Sequence, residues 1–204
     1  MNKNDCGSSD EHQSQMKEIK KKMREEQKKK TEKRGVLIVI TGNGKGKSTS
    51  GFGTLLRALG HGHKVGVIQF IKGKWKTGES KFIEKSLDDI EYHCMETGFT
   101  WDTQNRESDI YAAESTWAHA EQALNNPEIK LVLIDELTYM LNYNYLDASK
   151  VINALQNRPI NQTVIVTGRD ACERLIDLAD TVSHVQEIKH AYNEGIRAQK
   201  GVDF

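Results

Sequence analysis

The chain has 204 residues, with 29 Lys+Arg against 29 Asp+Glu and 37% apolar residues. That is enough for one ordinary domain with an appendage, and small for two independent cores. The charge tie removes whole-protein attraction to polyanions as an argument for nucleic-acid binding, and no apolar run approaches the roughly 20 residues that cross a bilayer. Cys6, Cys94 and Cys172 are scattered and outside any C-x-x-C pattern, which argues against a disulfide framework and a structural zinc site. The opening residues MNKNDCGSSDEHQ lack the apolar stretch of a secretory signal. A soluble, cytoplasmic protein with no membrane contact is expected.

The zero net charge hides an asymmetry. Residues 1–34 hold 11 Lys+Arg and 7 Asp+Glu, and the remainder 18 and 22. This lead has only five apolar residues, too few for a core. Three of them, Met16, Ile19 and Met23, fall on one narrow helical stripe amid Lys and Glu. A solvated, partly frayed helix is expected, or one that folds onto the domain or a partner subunit.

From Gly35 the texture changes. Residues 36–40 form a continuous β-branched run suited to a strand buried on both faces of a parallel sheet. Similar runs recur at 65–71, 131–134 and 163–167, with a weaker one at 182–188, and His93 and Cys94 sit on another short strand. Helical stretches at 47–59, 107–124, 148–156 and 171–179 alternate with them, and Pro127 and Pro159 follow two of these helices as stops. The alternation predicts an α/β fold, mostly parallel, with helices on both faces, over residues 35–204.

The first strand runs into Thr41-Gly42-Asn43-Gly44-Lys45-Gly46-Lys47-Ser48-Thr49 and then a helix. The usual phosphate loop is G-x-x-x-x-G-K-[ST]. Here Gly46-Lys47-Ser48 match, while Thr41 stands in the first glycine's slot. Gly42, Gly44 and Gly46 can turn amides inward around an anion, and the helix start adds its own positive end. Lys47 supplies a full charge for phosphate, Ser48 a hydroxyl for Mg²⁺, and Lys45 a second cation. Asp135-Glu136 end an apolar strand and should face the same crevice, where one of them holds the metal. Arg169, after another apolar strand, is a candidate phosphate ligand. Arg57, inside the first helix of the domain, reads as structural or interfacial, and His61-Gly62-His63 as a loop. Two reactions remain open on the motifs alone: phosphoryl transfer to a small metabolite, and regulatory ATP hydrolysis with a nucleic-acid-touching lead.

Further segments narrow this. Thr97-Gly98-Phe99-Thr100-Trp101-Asp102-Thr103-Gln104-Asn105-Arg106, Asp135-Glu136-Leu137-Thr138-Tyr139-Met140, Lys189-His190-Ala191-Tyr192 and the tail 195–204 stand in that order. With Gln69-Phe70-Ile71-Lys72-Gly73 and Thr167-Gly168-Arg169, they make residues 35–204 resemble the P-loop corrinoid adenosyltransferases (ATP:cob(I)alamin adenosyltransferases), whose phosphate loop has this same variant form. The resemblance implies a RecA-like P-loop NTPase fold and transfer of the 5′-deoxyadenosyl group of ATP to Co(I) of a corrinoid, leaving triphosphate. It implies Mg²⁺, with Mn²⁺ as a substitute, an electron donor such as a reduced flavoprotein, and a homodimer whose lead helix helps cover the partner's corrinoid site. It assigns nucleotide binding to residues 42–49 (Gly42, Asn43, Gly44, Lys45, Gly46, Lys47, Ser48, Thr49), and Glu136 to the metal site with Asp135 supporting. Phe99 and Trp101 become a wedge against the lower corrin face that excludes an axial ligand. Cobalt ligation by His93 or Cys94 would defeat that chemistry.

Overall fold

The computed structural model describes residues 9–71, 77–86, 90–95 and 105–204. The chain divides into two units, Met1–Lys33 and Arg34–Phe204. The first contains helix α1, Ser9–Lys29, with Lys28 and Lys29 in its last turn, complementing the helix dipole. Met16, Ile19 and Met23 lie exposed along it, a stripe too narrow to hold a core.

The second unit is built on a six-stranded sheet in the order β3-β2-β4-β5-β1-β6, with every pairing parallel. The strands are β1 (Leu37–Thr41), β2 (Val65–Gln69), β3 (Ile90–Cys94), β4 (Leu131–Asp135), β5 (Thr163–Thr167) and β6 (Thr181–His184). The helices are α2 (Lys47–Gly60), α3 (Gly78–Ser86), α4 (Arg106–Asn125), α5 (Leu137–Asn142), α6 (Ala148–Gln156) and α7 (Glu173–Leu178), followed by a 3₁₀ turn at Ala191–Glu194. Alternate residues of β1, β2, β4 and β5 feed two cores. Leu133, Ile165, Val65 and Val67 pack with Phe52 and Leu55 of α2 and Ile83 of α3. Val132, Ile134, Val164 and Ile68 pack with Trp117 of α4, Met140 of α5, Leu155 of α6 and Leu175 of α7. Both faces of β2, β4 and β5 are thus covered, which is why these strands read as unbroken apolar runs. Among the described residues no helix is long and apolar enough to cross a membrane.

Three expected extents change. The run at 65–71 ends its pairing at Gln69, because Ile71 turns to φ 44°. The run at 182–188 yields only β6, an exposed edge strand. Beyond it Val185 donates to Thr41 O at 2.7 Å and accepts from Gly44 N at 2.8 Å, so the chain leaves the sheet to pack on the phosphate loop. The helix expected from 171 begins at Glu173, since Asp170 has φ 50° and Ala171 N is committed to Thr41 Oγ1. Helices α3 and α5 had no expected counterpart. Both are short, and α3 is largely polar, so neither supplies the sustained period that marks a helix in sequence.

Asp180 clasps the start of the sheet. It accepts from Arg34 Nη1 at 2.9 Å and Nη2 at 2.5 Å, and from Leu37 N at 2.8 Å, with Arg158 at 3.8 Å. The Arg34 bond first, then the Leu37 amide, lower its carboxyl to about 2. A carboxylate depressed on folding contributes stability above its unfolded value near 4, and that contribution is lost as pH falls toward 2. Asp180→Asn should therefore lower the Tm at pH 7 by about 2–4 °C and flatten the loss of stability between about pH 4 and 2, as read by thermal melts across that range.

Candidate nucleotide and metal site

The carboxyl ends of β1, β2 and β4 open on one cavity of about 930 Å³, whose wall includes residues 45–49, Gln69, Asp135 and Glu136. Its floor is the loop from β1 to α2. Gly42 has φ 102° and Gly46 φ 110°, conformations that a side chain strains and glycine does not. Gly46 opens α2 with no side-chain cap, and no acidic residue stands in the first turn. The first intrahelical bond closes from Ser50 N to Gly46 O, so the amides before it remain for an anion.

The loop's other glycines do something different. Gly44 donates its amide to Val185 O instead of turning it toward an anion, and a Cβ there would stand 2.7 Å from Gln186 O. A Cβ on Gly42 would stand 2.4 Å from Val185 O. The inward cradle expected of all three glycines is thus corrected for the Gly44 amide. Close approach of the chain after β6 requires residues 42 and 44 to lack side chains. Neither they nor the exposed Asn43 belong to the cavity wall. Thr41, in the first glycine's usual slot, has a physical role there: it completes the buried strand and its hydroxyl accepts from Ala171 N at 3.1 Å.

Lys47 is buried, and its ammonium folds back to donate to Gly44 O at 2.8 Å. Burial chiefly, and Arg169 secondarily, lower its pKa, against the opposing fields of Glu136, Asp135 and Asp170. Ser48 is half-buried and Thr49 exposed on the same wall. Lys45 is half-exposed, and its ammonium meets Asp203 at 2.7 Å and Val202 O at 3.1 Å. Arg169 is exposed and outside the wall, though its charge acts on both Lys47 and Glu136. Its backbone is held by Thr138 Oγ1 donating to its carbonyl at 2.6 Å.

The two acids differ. Asp135, buried, accepts from Gln69 Nε2 at 2.9 Å on one oxygen and Thr167 Oγ1 at 2.5 Å on the other. Tyr92 Oη extends the chain of bonds by donating to Gln69 Oε1 at 2.7 Å. Thr167 Oγ1 also accepts from Glu136 N at 3.1 Å, holding Glu136 in a left-handed conformation, φ 59°, that costs a non-glycine residue energy. Burial first, and Asp135 second, raise the Glu136 pKa, while Lys47 and Arg169 pull it down. Ser48, Asp135 and Glu136 offer only hard oxygen donors around a space open to phosphate, which suits Mg²⁺ or Mn²⁺. Among the described residues no three His, Cys, Asp or Glu side chains form a metal cluster. His93 stacks on His119 with centroids 3.9 Å apart, and His61 caps α2 before Gly62 turns at φ 72°.

Tyr92 had no role in the sequence reading, and Gln69, Thr167 and the tail residues of the cavity wall had none beyond membership of motifs. They belong to other strands or to the chain's end, so no local period announces them. Phe99 and Trp101 lie outside the described residues.

A family model described as ATP:corrinoid adenosyltransferase BtuR/CobO/CobP matches residues 33–204. The corrinoid adenosyltransferase of Escherichia coli K12 is 48% identical over 97% of this chain and all of that protein. The corrinoid adenosyltransferase CobA of Salmonella typhimurium is 51% identical over 85% of this chain and 87% of its own length. The corrinoid adenosyltransferase of Pseudomonas aeruginosa is 51% identical over 85% of both chains.

Thr167→Val keeps the shape of the side chain and removes its hydroxyl. It should leave Glu136 N unpaired and Asp135 short of one donor, costing about 1–3 kcal/mol of stability. Affinity for a magnesium nucleotide should fall about tenfold; thermal melts and calorimetric titration with MgATP read the two effects.

Proposed function

The chain belongs to the ATP:corrinoid adenosyltransferase family, and we propose that its cavity holds MgATP for attack by a corrinoid's Co(I) at the ribose C5′. The observation that carries this reading is that the phosphate loop and the Asp135–Glu136 pair open on one cavity of about 930 Å³, within the range of small-molecule sites. Co(I) donates an electron pair to C5′, the C5′–O bond breaks, and that bond's electrons leave with triphosphate. The products are an adenosylcorrinoid with formally Co(III) and inorganic triphosphate. Cobalt is thus the nucleophile, and no side chain has to form a covalent intermediate.

The protein's contribution is to hold, orient and neutralise. Lys47 and the first-turn amides of α2 stabilise charge gathering on the triphosphate, with Arg169 adding a longer-range positive field. Gly42, Asn43, Gly44 and Gly46 shape the loop, and residues 45–49 form its ligand-facing wall. Ser48 and Glu136 would hold Mg²⁺ or Mn²⁺, with Asp135 orienting from behind; the ion, when bound, offsets phosphate charge as a Lewis acid. Holding C5′ and cobalt in line converts a bimolecular displacement into a near-unimolecular one, an effect worth up to roughly 7–11 kcal/mol. Phe99 and Trp101 act on the other substrate, excluding an axial ligand so that Co(II) becomes four-coordinate and reducible, because large apolar side chains offer no lone pair and keep water out.

Several further features belong to this reading: a cytoplasmic homodimer, a reduced flavoprotein as electron donor, and α1 lying over the partner's corrinoid site through Met16, Ile19 and Met23. The exposure of that stripe supports the last of these. Deleting residues 1–30 should weaken corrinoid affinity and turnover; unchanged values would remove α1 from the site.

Anaerobic incubation with MgATP and chemically reduced cob(I)alamin tests the reaction. Adenosylcobalamin together with intact triphosphate is expected, whereas ADP or phosphate without a cobalt–carbon bond would mean phosphoryl transfer or ATP hydrolysis instead. Lys47→Ala should abolish ATP use while corrinoid still binds. Trp101→Ala should spare ATP binding and weaken the spectroscopic signature of four-coordinate Co(II).

A further inference from the structure

The C-terminal tail returns to the phosphate loop. Arg197, Ala198 and residues 201–204 share the cavity wall with residues 45–49. The tail is knotted on itself: Asp203 N donates to Gln199 O and Gln199 N to Asp203 Oδ2, both at 2.8 Å, while Gly201 N donates to Phe204 O at 2.8 Å. One ion pair joins the knot to the loop, Lys45 Nζ to Asp203 Oδ1 at 2.7 Å, supported by Val202 O at 3.1 Å. Hydrogen bonds from Lys45 first, and then from the Gln199 amide, lower the Asp203 carboxyl pKa.

This arrangement changes the charge balance of the site. A magnesium polyphosphate remains anionic after Lys47 is paired with it, and Lys45, the second cation of the loop, is engaged with Asp203. Arg197, on the same tail, is an exposed residue of the cavity wall, and among the described residues no carboxylate pairs with it. Guanidinium geometry suits two phosphate oxygens at once.

We propose that Arg197 is a polyphosphate-binding residue, and that Asp203 is the positioning residue whose clasp on Lys45 brings it to the phosphate loop. This rests on the nucleotide-site reading above and adds the residue that completes its positive charge. Lys45 then acts as the tail's anchor, and the far end of the chain becomes part of the nucleotide site.

Titration calorimetry on the full chain with magnesium tripolyphosphate, MgATP and AMP tests this. Arg197→Ala should weaken tripolyphosphate and MgATP about tenfold and leave AMP within a factor of about two, with Arg197→Lys recovering only part of the loss. Asp203→Asn should weaken the same two ligands about threefold or more and speed tryptic cleavage within 197–200, with Asp203→Glu restoring both. A general structural defect would weaken AMP equally and lower the Tm. Unchanged tripolyphosphate and MgATP affinity in Arg197→Ala, or equal loss for AMP, would overturn the assignment of Arg197. Tighter binding by Asp203→Asn would overturn the clasp, because the carboxylate would then be competing with phosphate. A wild-type chain that binds neither tripolyphosphate nor MgATP would overturn the phosphate-loop reading itself, a different result from binding that ignores Arg197.

Discussion

A strand covered by helices on both faces has no side chain free for chemistry along its length, so reactive groups must gather where the strand ends. In a parallel sheet all the carboxyl ends lie on one edge, and the loops after β1, β4 and β5 each enter a helix by its positive end. The Arg34–Phe204 unit follows from that constraint. β1 delivers the phosphate loop, β4 delivers Asp135 and Glu136, β2 delivers Gln69 and β5 delivers Thr167, with sequence separations that no local pattern connects. Burial of Val132, Leu133, Val164 and Ile165 is what brings these ends into register.

The bonds among Tyr92, Gln69, Asp135, Thr167 and the Glu136 amide run across four strand ends, from the β3 edge through β2 and β4 to β5. Buried polar groups are costly unless each has a partner, so the same network that satisfies Asp135 also sets the backbone of Glu136. The left-handed conformation at Glu136 is maintained from a neighbouring strand. Both Asp135 oxygens are committed to that network, whereas the network fixes Glu136 through its backbone amide.

Positive charge at the loop is similarly distributed. Lys47 rests on the loop's own carbonyl, and Lys45 on the tail's carboxylate. The Lys45 ammonium thereby ties Val202 and Asp203 to the phosphate loop.

Much of this was legible before any coordinates. The β-branched runs, the glycines before Lys47 and the strand-terminal Asp135-Glu136 are local patterns, and local patterns determine local structure: strand, loop and helix start. The further segments at 97–106, 135–140, 189–192 and 195–204, standing in that order, were enough to identify the family. Motif spacing also singled out the Asp135–Glu136 pair and Lys47, which the structure brings to the wall of one cavity. Only the tertiary structure decided the rest. It placed Gln69 and Thr167 on Asp135, turned the Gly44 amide to Val185, shortened the run at 182–188, and brought Asp203 to Lys45. Those outcomes depend on contacts between residues far apart in sequence, which burial and hydrogen-bond satisfaction select only once the sheet has assembled.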